Sequence, residues 1–162
     1  MATIPYPTRN DLAAAVRATS IALLNQNLVD LLDLGMQIKH AHWNVKGPHF
    51  IALHEFFDEL AESLEEFVDD IAERAVELGG VADGTVQALS STRLAAYSTQ
   101  GNSGTVHIVA LANAFAICAA NVRAAIDAAT EAGDADSADL FTGVSRGLDK
   151  MLWQLEAHTH DA

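Results

Sequence analysis

A chain of 162 residues, half of them hydrophobic, with ten glycines and three prolines, is long enough to bury its own core and favours helix over sheet. Its formal charge of −13 and pI near 4.6 disfavour electrostatic binding to nucleic acid or anionic membrane and make cations the natural partners. The single cysteine excludes an intramolecular disulfide, and Cys118, set among Ile117, Ala119 and Ala120, reads as a small buried hydrophobe.

The length fits one domain over 1–162, with short tails at about 1–8 and 158–162. Met1 to Asn10 has no apolar run and contains Pro5 and Pro7, so no signal sequence is expected there and residence is expected to be cytoplasmic. Thr8, Asn10 and Asp11 offer cap chemistry for a first helix running to about Trp43, with Val16, Leu24, Leu28, Leu31 and Ile38 as its apolar positions. Gly47-Pro48 ends it. A second helix follows from about His49 to Leu78, stopped by Gly79-Gly80. Val81 to Gly104 is mixed, rich in Ser, Thr and Gly, and too long for a tight turn, so it reads as a crossover, with a short helix expected over Thr92 to Tyr97. A third helix is expected from about Thr105 to Thr130. Its Val106 to Ile126 stretch approaches membrane-helix hydropathy, but His107, Asn113 and Asn121 interrupt it, favouring a buried bundle helix. Gly133-Asp134 punctuates the chain before a fourth helix from Ser137 to about Ala157. Two helical hairpins joined by a crossover give an all-α four-helix bundle.

The second helix carries the chemistry. Leu53, Phe57, Leu60, Leu64, Phe67, Ile71, Ala75 and Leu78 recur at three- and four-residue intervals as one apolar stripe. At roughly 100° per residue, His54, Asp58, Asp69 and Glu73 fall on the opposite face. Outward acids such as Glu62 and Glu65 are ordinary solvation, but His42 and His54 add neutral nitrogen donors to the oxygen set, a mixture suited to ferrous iron or zinc. His54/Asp58 and Asp69/Glu73 are each i, i+4 pairs able to converge on one ion, whereas Asp58 and Asp69 lie about 16 Å apart along the axis. One ion cannot span that gap. Two copies of the helix packed antiparallel about a two-fold axis would bring the His54/Asp58 half of one against the Asp69/Glu73 half of the other.

The spacing H-x11-H-x3-D-x10-D-x3-E, together with His42-Trp43-Asn44, Phe50 to Glu55 (FIALHE) and Asp69 to Gly80 (DDIAERAVELGG), resembles the Dps family, the dodecameric mini-ferritins. The likeness extends to Tyr6 to Asp11 near the start, and to Ser145 to Lys150 and Leu152-Trp153 near the end. It implies a ferritin-like bundle in which His42, His54 and Asp58 of one subunit join Asp69 and Glu73 of the two-fold mate as a ferroxidase centre. Ordinary ferritins hold their di-iron site inside the bundle on Glu-x-x-His motifs, and this sequence contains none.

The resemblance further implies a homo-oligomer of twelve subunits that oxidises ferrous iron, preferably with hydrogen peroxide, stores ferric mineral in its hollow shell and so limits oxidative damage. Zn²⁺ is a competing ion for the same ligands. Trp43, beside a ligand, is a candidate radical sink, although packing is an equal reading of an aromatic at a helix end. Asp127, Glu131, Asp134, Asp136 and Asp139 cluster about the last turn, and in the family such acids line three-fold pores through which iron passes. Family members that condense DNA use lysine-rich extensions; here the N-terminal stretch has only Arg9 and the C-terminus reads His158 to Ala162 without a basic residue other than histidine, so DNA binding is expected to be weak or absent. His40, His49, His107, His158 and His160 are assigned structural or solvent roles. The competing readings are a DNA-compacting protein with secondary iron chemistry and a non-catalytic metal buffer.

Overall fold

The computed structural model describes residues 4–98 and 100–160; the outermost residues of both expected tails lie outside the described residues. Four long helices, α1 (Ala14–Asn44), α2 (Phe50–Glu77), α3 (Gly104–Ala132) and α4 (Ala135–Glu156), pack as two hairpins, α1 against α2 and α3 against α4, with α1 also lying on α3. The all-α four-helix arrangement expected from the sequence is present. Leu24, Leu28, Leu31, Leu34 and Ile38 of α1 meet Phe57, Leu60, Leu64 and Ile71 of α2, and Leu111, Phe115, Val122, Phe141 and Leu148 close the core from the second hairpin. Apart from the half-buried Phe67, the apolar stripe read along α2 is buried as expected. By length and composition α3 could cross a membrane, yet its Leu111, Phe115, Cys118 and Val122 are buried inside the bundle. Cys118 is fully buried, and burial pushes its thiol up to about 12, which leaves it inert.

Two expectations are corrected. Helix α1 begins at Ala14 with Ala13 in the cap position and no side-chain cap; Asn10 Oδ1 instead accepts from Leu12 N at 3.0 Å, a turn preceding the helix. The short helix of the crossover lies at Ala88–Ser91, a single 3₁₀ turn, and not over Thr92 to Tyr97. The reason is that side chains of α1 have taken the polar groups of that segment. Arg93 N donates to Asp30 Oδ1 at 3.0 Å, Gln37 Nε2 donates to Ala95 O at 3.2 Å, and Leu94 N turns back to Thr92 Oγ1 at 3.2 Å. A helix there would have to surrender these bonds.

Asp30 is the anchor of the crossover. It is fully buried, and it receives Arg93 Nε at 2.7 Å and Asn121 Nδ2 at 3.1 Å, while Arg93 also reaches Asn27 Oδ1 at 3.2 Å. One carboxylate thereby ties α1, the crossover and α3 together.

Two glycines serve the packing directly. Gly133 adopts φ 90° to end α3, in the left-handed region that a side chain disfavours. At Gly147 of α4 an added Cβ would stand 2.2 Å from the Phe67 ring, so glycine is what lets α4 close on α2.

Asp134 opens α4. Its carboxylate caps the helix by accepting from Ser137 N at 3.0 Å, takes the Ser137 hydroxyl at 2.6 Å, and pairs with Arg74 of α2 at 3.1 Å, at 1% exposure. Burial works against its ionisation, but the Ser137 hydrogen bonds and the Arg74 charge outweigh it and hold the carboxyl below its ordinary value. The stabilisation from this charge is present above the unfolded-state pKa and is lost as pH falls through the folded one. Asp134→Ala should lower unfolding free energy by about 2 kcal/mol in denaturant titration. Asp134→Asn, which keeps a cap but no charge, should show a smaller deficit at neutral pH that closes only as pH falls below about 4.

Candidate metal centre

His42 stands near the C-terminal end of α1 and His54 in the second turn of α2, and the hairpin stacks their rings with centroids 3.7 Å apart and planes 20° apart. Each ring is held by the other residue's backbone. His42 Nδ1 lies 2.7 Å from His54 O, and His54 Nδ1 lies 2.9 Å from His42 O. A carbonyl accepts only, so both Nδ1 atoms carry the proton and both Nε2 atoms present lone pairs. The local cause is helix termination: His42 O is among the last four carbonyls of α1, which have no intrahelical donor. This is the arrangement that fixes tautomer and orientation in a metal-ligating histidine.

Asp58 follows one turn after His54, its Oδ1 3.9 Å from His42 Nδ1. Lys39, three residues before His42 on α1, hydrogen-bonds that same carboxylate oxygen. The Lys39 hydrogen bond is the main reason the Asp58 carboxyl sits below its ordinary range, with His42 and His54 adding smaller attractions, against the opposing effect of desolvation. The sequence reading passed over Lys39, though its i−3 position relative to His42 puts it on the ligand face. Asp69 and Glu73 lie farther along α2, both exposed. Among the described residues no group of three or more His, Cys, Asp or Glu side chains is close enough to hold a metal within one chain. The structure stacks His42 on His54 and sets Asp58 beside His42, short of a three-ligand group within one chain, and leaves Asp69 and Glu73 farther along α2.

The remaining candidates separate cleanly. Trp43 is 63% exposed beside His42. His40 packs edge-on against Tyr97, His107 is buried against the same tyrosine, and His158 stacks on Phe56. Of the acids near the last turn, Asp127, Glu131, Asp136 and Asp139 are exposed, whereas Asp134 is a buried helix cap and cannot line a pore.

A ferritin-like domain model matches residues 21–162. The DNA protection during starvation protein of Agrobacterium fabrum (strain C58) is 46% identical over 157 residues, covering 96% of this chain and 97% of the relative. The chain belongs to the Dps family. Among solved structures, DpsA14 from Streptomyces coelicolor superposes with a TM-score of 0.90 at 34% identity, covering 100% of this chain and 96% of that one. A Vibrio cholerae Dps protein, described as a member of a broad superfamily of ferritin-like diiron-carboxylate proteins, superposes with a TM-score of 0.86 at 25% identity, covering 92% of this chain and 94% of that one.

In this Dps chain the Lys39 ammonium is already seated on Asp58, where any cation bound by that carboxylate would have to compete with it. The Lys39 and Asp58 side chains are 38% and 41% exposed, so their pairing is water-screened and modest. Lys39→Met should therefore tighten anaerobic binding of Fe²⁺ or Zn²⁺ by about two- to fivefold in calorimetric titration.

Proposed function

We propose that this Dps protein is a ferroxidase and iron store whose metal centre is completed between two subunits. The observation that carries the reading is the stacked pair of His42 and His54, each held through Nδ1 so that Nε2 is left as the lone-pair donor, with Asp58 beside His42 and with Asp69 and Glu73 farther along the outward face of α2. His42, His54 and Asp58 of one subunit, with Asp69 and Glu73 of an antiparallel two-fold mate, supply two nitrogen donors and three carboxylates, a set suited to iron and also to Zn²⁺ as competitor. The diiron-carboxylate description of the Vibrio cholerae relative supports iron as the substrate metal.

Two ferrous ions and one hydrogen peroxide, with two protons, give two ferric ions and two waters, so the oxidant is consumed without releasing a radical. The carboxylates favour the ferric product because each ion gains a positive charge when its electron leaves. The neutral imidazoles hold ferrous iron before that step, and acid weakens the site because protons compete for every ligand. Ferric product accumulates inside a shell of twelve subunits, reached through pores lined by exposed acids among Asp127, Glu131, Asp136 and Asp139. The protein acts in the cytoplasm, where iron and peroxide meet.

Subunit mixing tests the shared centre. His42→Ala, Asp58→Ala and Glu73→Ala should each slow peroxide-driven iron oxidation roughly tenfold or more in stopped-flow absorbance. When His54→Ala and Glu73→Ala subunits are renatured together, each mixed dimer regains one intact site, so about a quarter of wild-type sites should return. No recovery would overturn the shared centre. A non-catalytic metal buffer would bind Fe²⁺ anaerobically and show no change on adding peroxide.

Protection of DNA on this reading comes from removing iron and peroxide, not from coating the duplex. Twelve copies multiply the charge of −13, which opposes counterion-release binding. A gel shift at low salt and neutral pH should show no tight retention of duplex DNA.

A further inference from the structure

The crossover ends beside the hairpin that carries the metal ligands, and there the fold buries a polar pair that packing alone does not explain. The Tyr97 hydroxyl lies 2.7 Å from Nδ1 of His107, and the two rings are nearly parallel, 12° apart with centroids at 6.0 Å. His107, in the first turn of α3, is 1% exposed, and its Nε2 is buried with no hydrogen-bond partner among the described residues. An orphaned ring nitrogen costs stability that an apolar residue at 107 would not, so this histidine is retained at a cost. On its other side Tyr97 meets His40 edge-on at 5.2 Å, and His40 precedes the ligand His42 by two residues on α1. Tyr97 therefore sits between the α1 end of the metal centre and a buried base.

We propose that Tyr97 and His107 form a proton-coupled one-electron donor that quenches hydroxyl radical and similar one-electron oxidants arising at the metal centre. The inference rests on the peroxide-driven iron oxidation proposed above, which supplies the oxidant whenever peroxide meets one ferrous ion instead of two: ferrous iron and peroxide then give ferric iron, hydroxide and hydroxyl radical. Tyr97 gives up one electron, which reduces the radical to hydroxide. The phenolic O–H bond breaks, and its proton forms an N–H bond at Nδ1 of His107. A phenoxyl radical remains on Tyr97 beside a protonated imidazole, and an electron from a further ferrous ion returns both to their resting state. Burial pushes the Tyr97 hydroxyl up to about 12, so the resting phenol keeps its proton. Burial first, and the His40 charge second, hold His107 below its ordinary value, so the resting imidazole is neutral and able to accept. The imidazolium formed in the buried site is poorly solvated, which drives the proton back once the electron returns.

The chain has only two tyrosines, Tyr6 and Tyr97, which makes the test specific. Protein loaded anaerobically with less than two ferrous ions per site is mixed with peroxide, freeze-quenched and examined by electron paramagnetic resonance, with iron oxidation followed optically in the same reaction. Wild type and Tyr6→Phe should give equal tyrosyl signals; Tyr97→Phe should lose the signal and raise spin-trapped hydroxyl radical several-fold. His107→Gln should remain folded by circular dichroism and give a signal several-fold weaker or shorter-lived. Iron oxidation at the wild-type rate with no tyrosyl signal, or with a signal that survives Tyr97→Phe, would overturn the pair as donor and leave the ferroxidase standing. A His107→Gln signal matching wild type in yield and lifetime would remove His107 from the proposal. Absence of any iron oxidation would overturn the ferroxidase reading and this inference together.

Discussion

Helix α2 has two faces with incompatible demands, and the rest of the molecule is arranged around that conflict. Its apolar stripe, from Leu53 through Phe57 and Leu64 to Ile71, fixes the rotation of the helix because it must face the core. Once that rotation is set, His54, Asp58, Asp69 and Glu73 are committed to the outer face. The rise of the helix then separates the two ligand pairs beyond the reach of one ion. On the proposed centre, oligomerisation would be built into the geometry of one helix, because the missing half of each site would have to come from another copy.

The first hairpin and the crossover prepare that face. The reciprocal bonds between His42 and His54 join the end of α1 to the start of α2 and orient both rings at once. The crossover is held down by Asp30, whose carboxylate gathers Arg93 and Asn121 from different parts of the chain. That attachment also sets the path of the following residues, leaving Tyr97 against His40 and His107. A buried charge with several satisfied partners acts here as a locator, specifying one route for a long connection that has little regular structure of its own.

The long elements could be read from the sequence because repeated apolar spacing and glycine punctuation act over many residues. α2 and α4 begin and end within about two residues of expectation. The site face was readable for the same reason, since the period that buries Leu53 exposes Asp58. Contacts between distant segments were not. Nothing local in Thr92 to Tyr97 announces that Asp30 and Gln37 will claim its backbone, and nothing around Asp134 distinguishes a buried cap bound to Arg74 from a solvent-facing acid. Lys39 was within reach of helix arithmetic, yet only the folded hairpin shows which carboxylate it meets.

The ammonium on Asp58 would also affect how two such subunits pair in the proposed assembly. Two-fold pairing would bring the Asp58 end of one α2 toward the Asp69 and Glu73 end of another, a meeting of like charges. Lys39 carries a permanent positive group into that contact, so part of the repulsion is offset before any iron arrives. Loading of the proposed centre would then exchange one cation for another instead of filling a bare anionic gap. On the proposed shared centre, assembly and metal supply would be uncoupled, and a cell starved of iron could still keep empty shells in readiness.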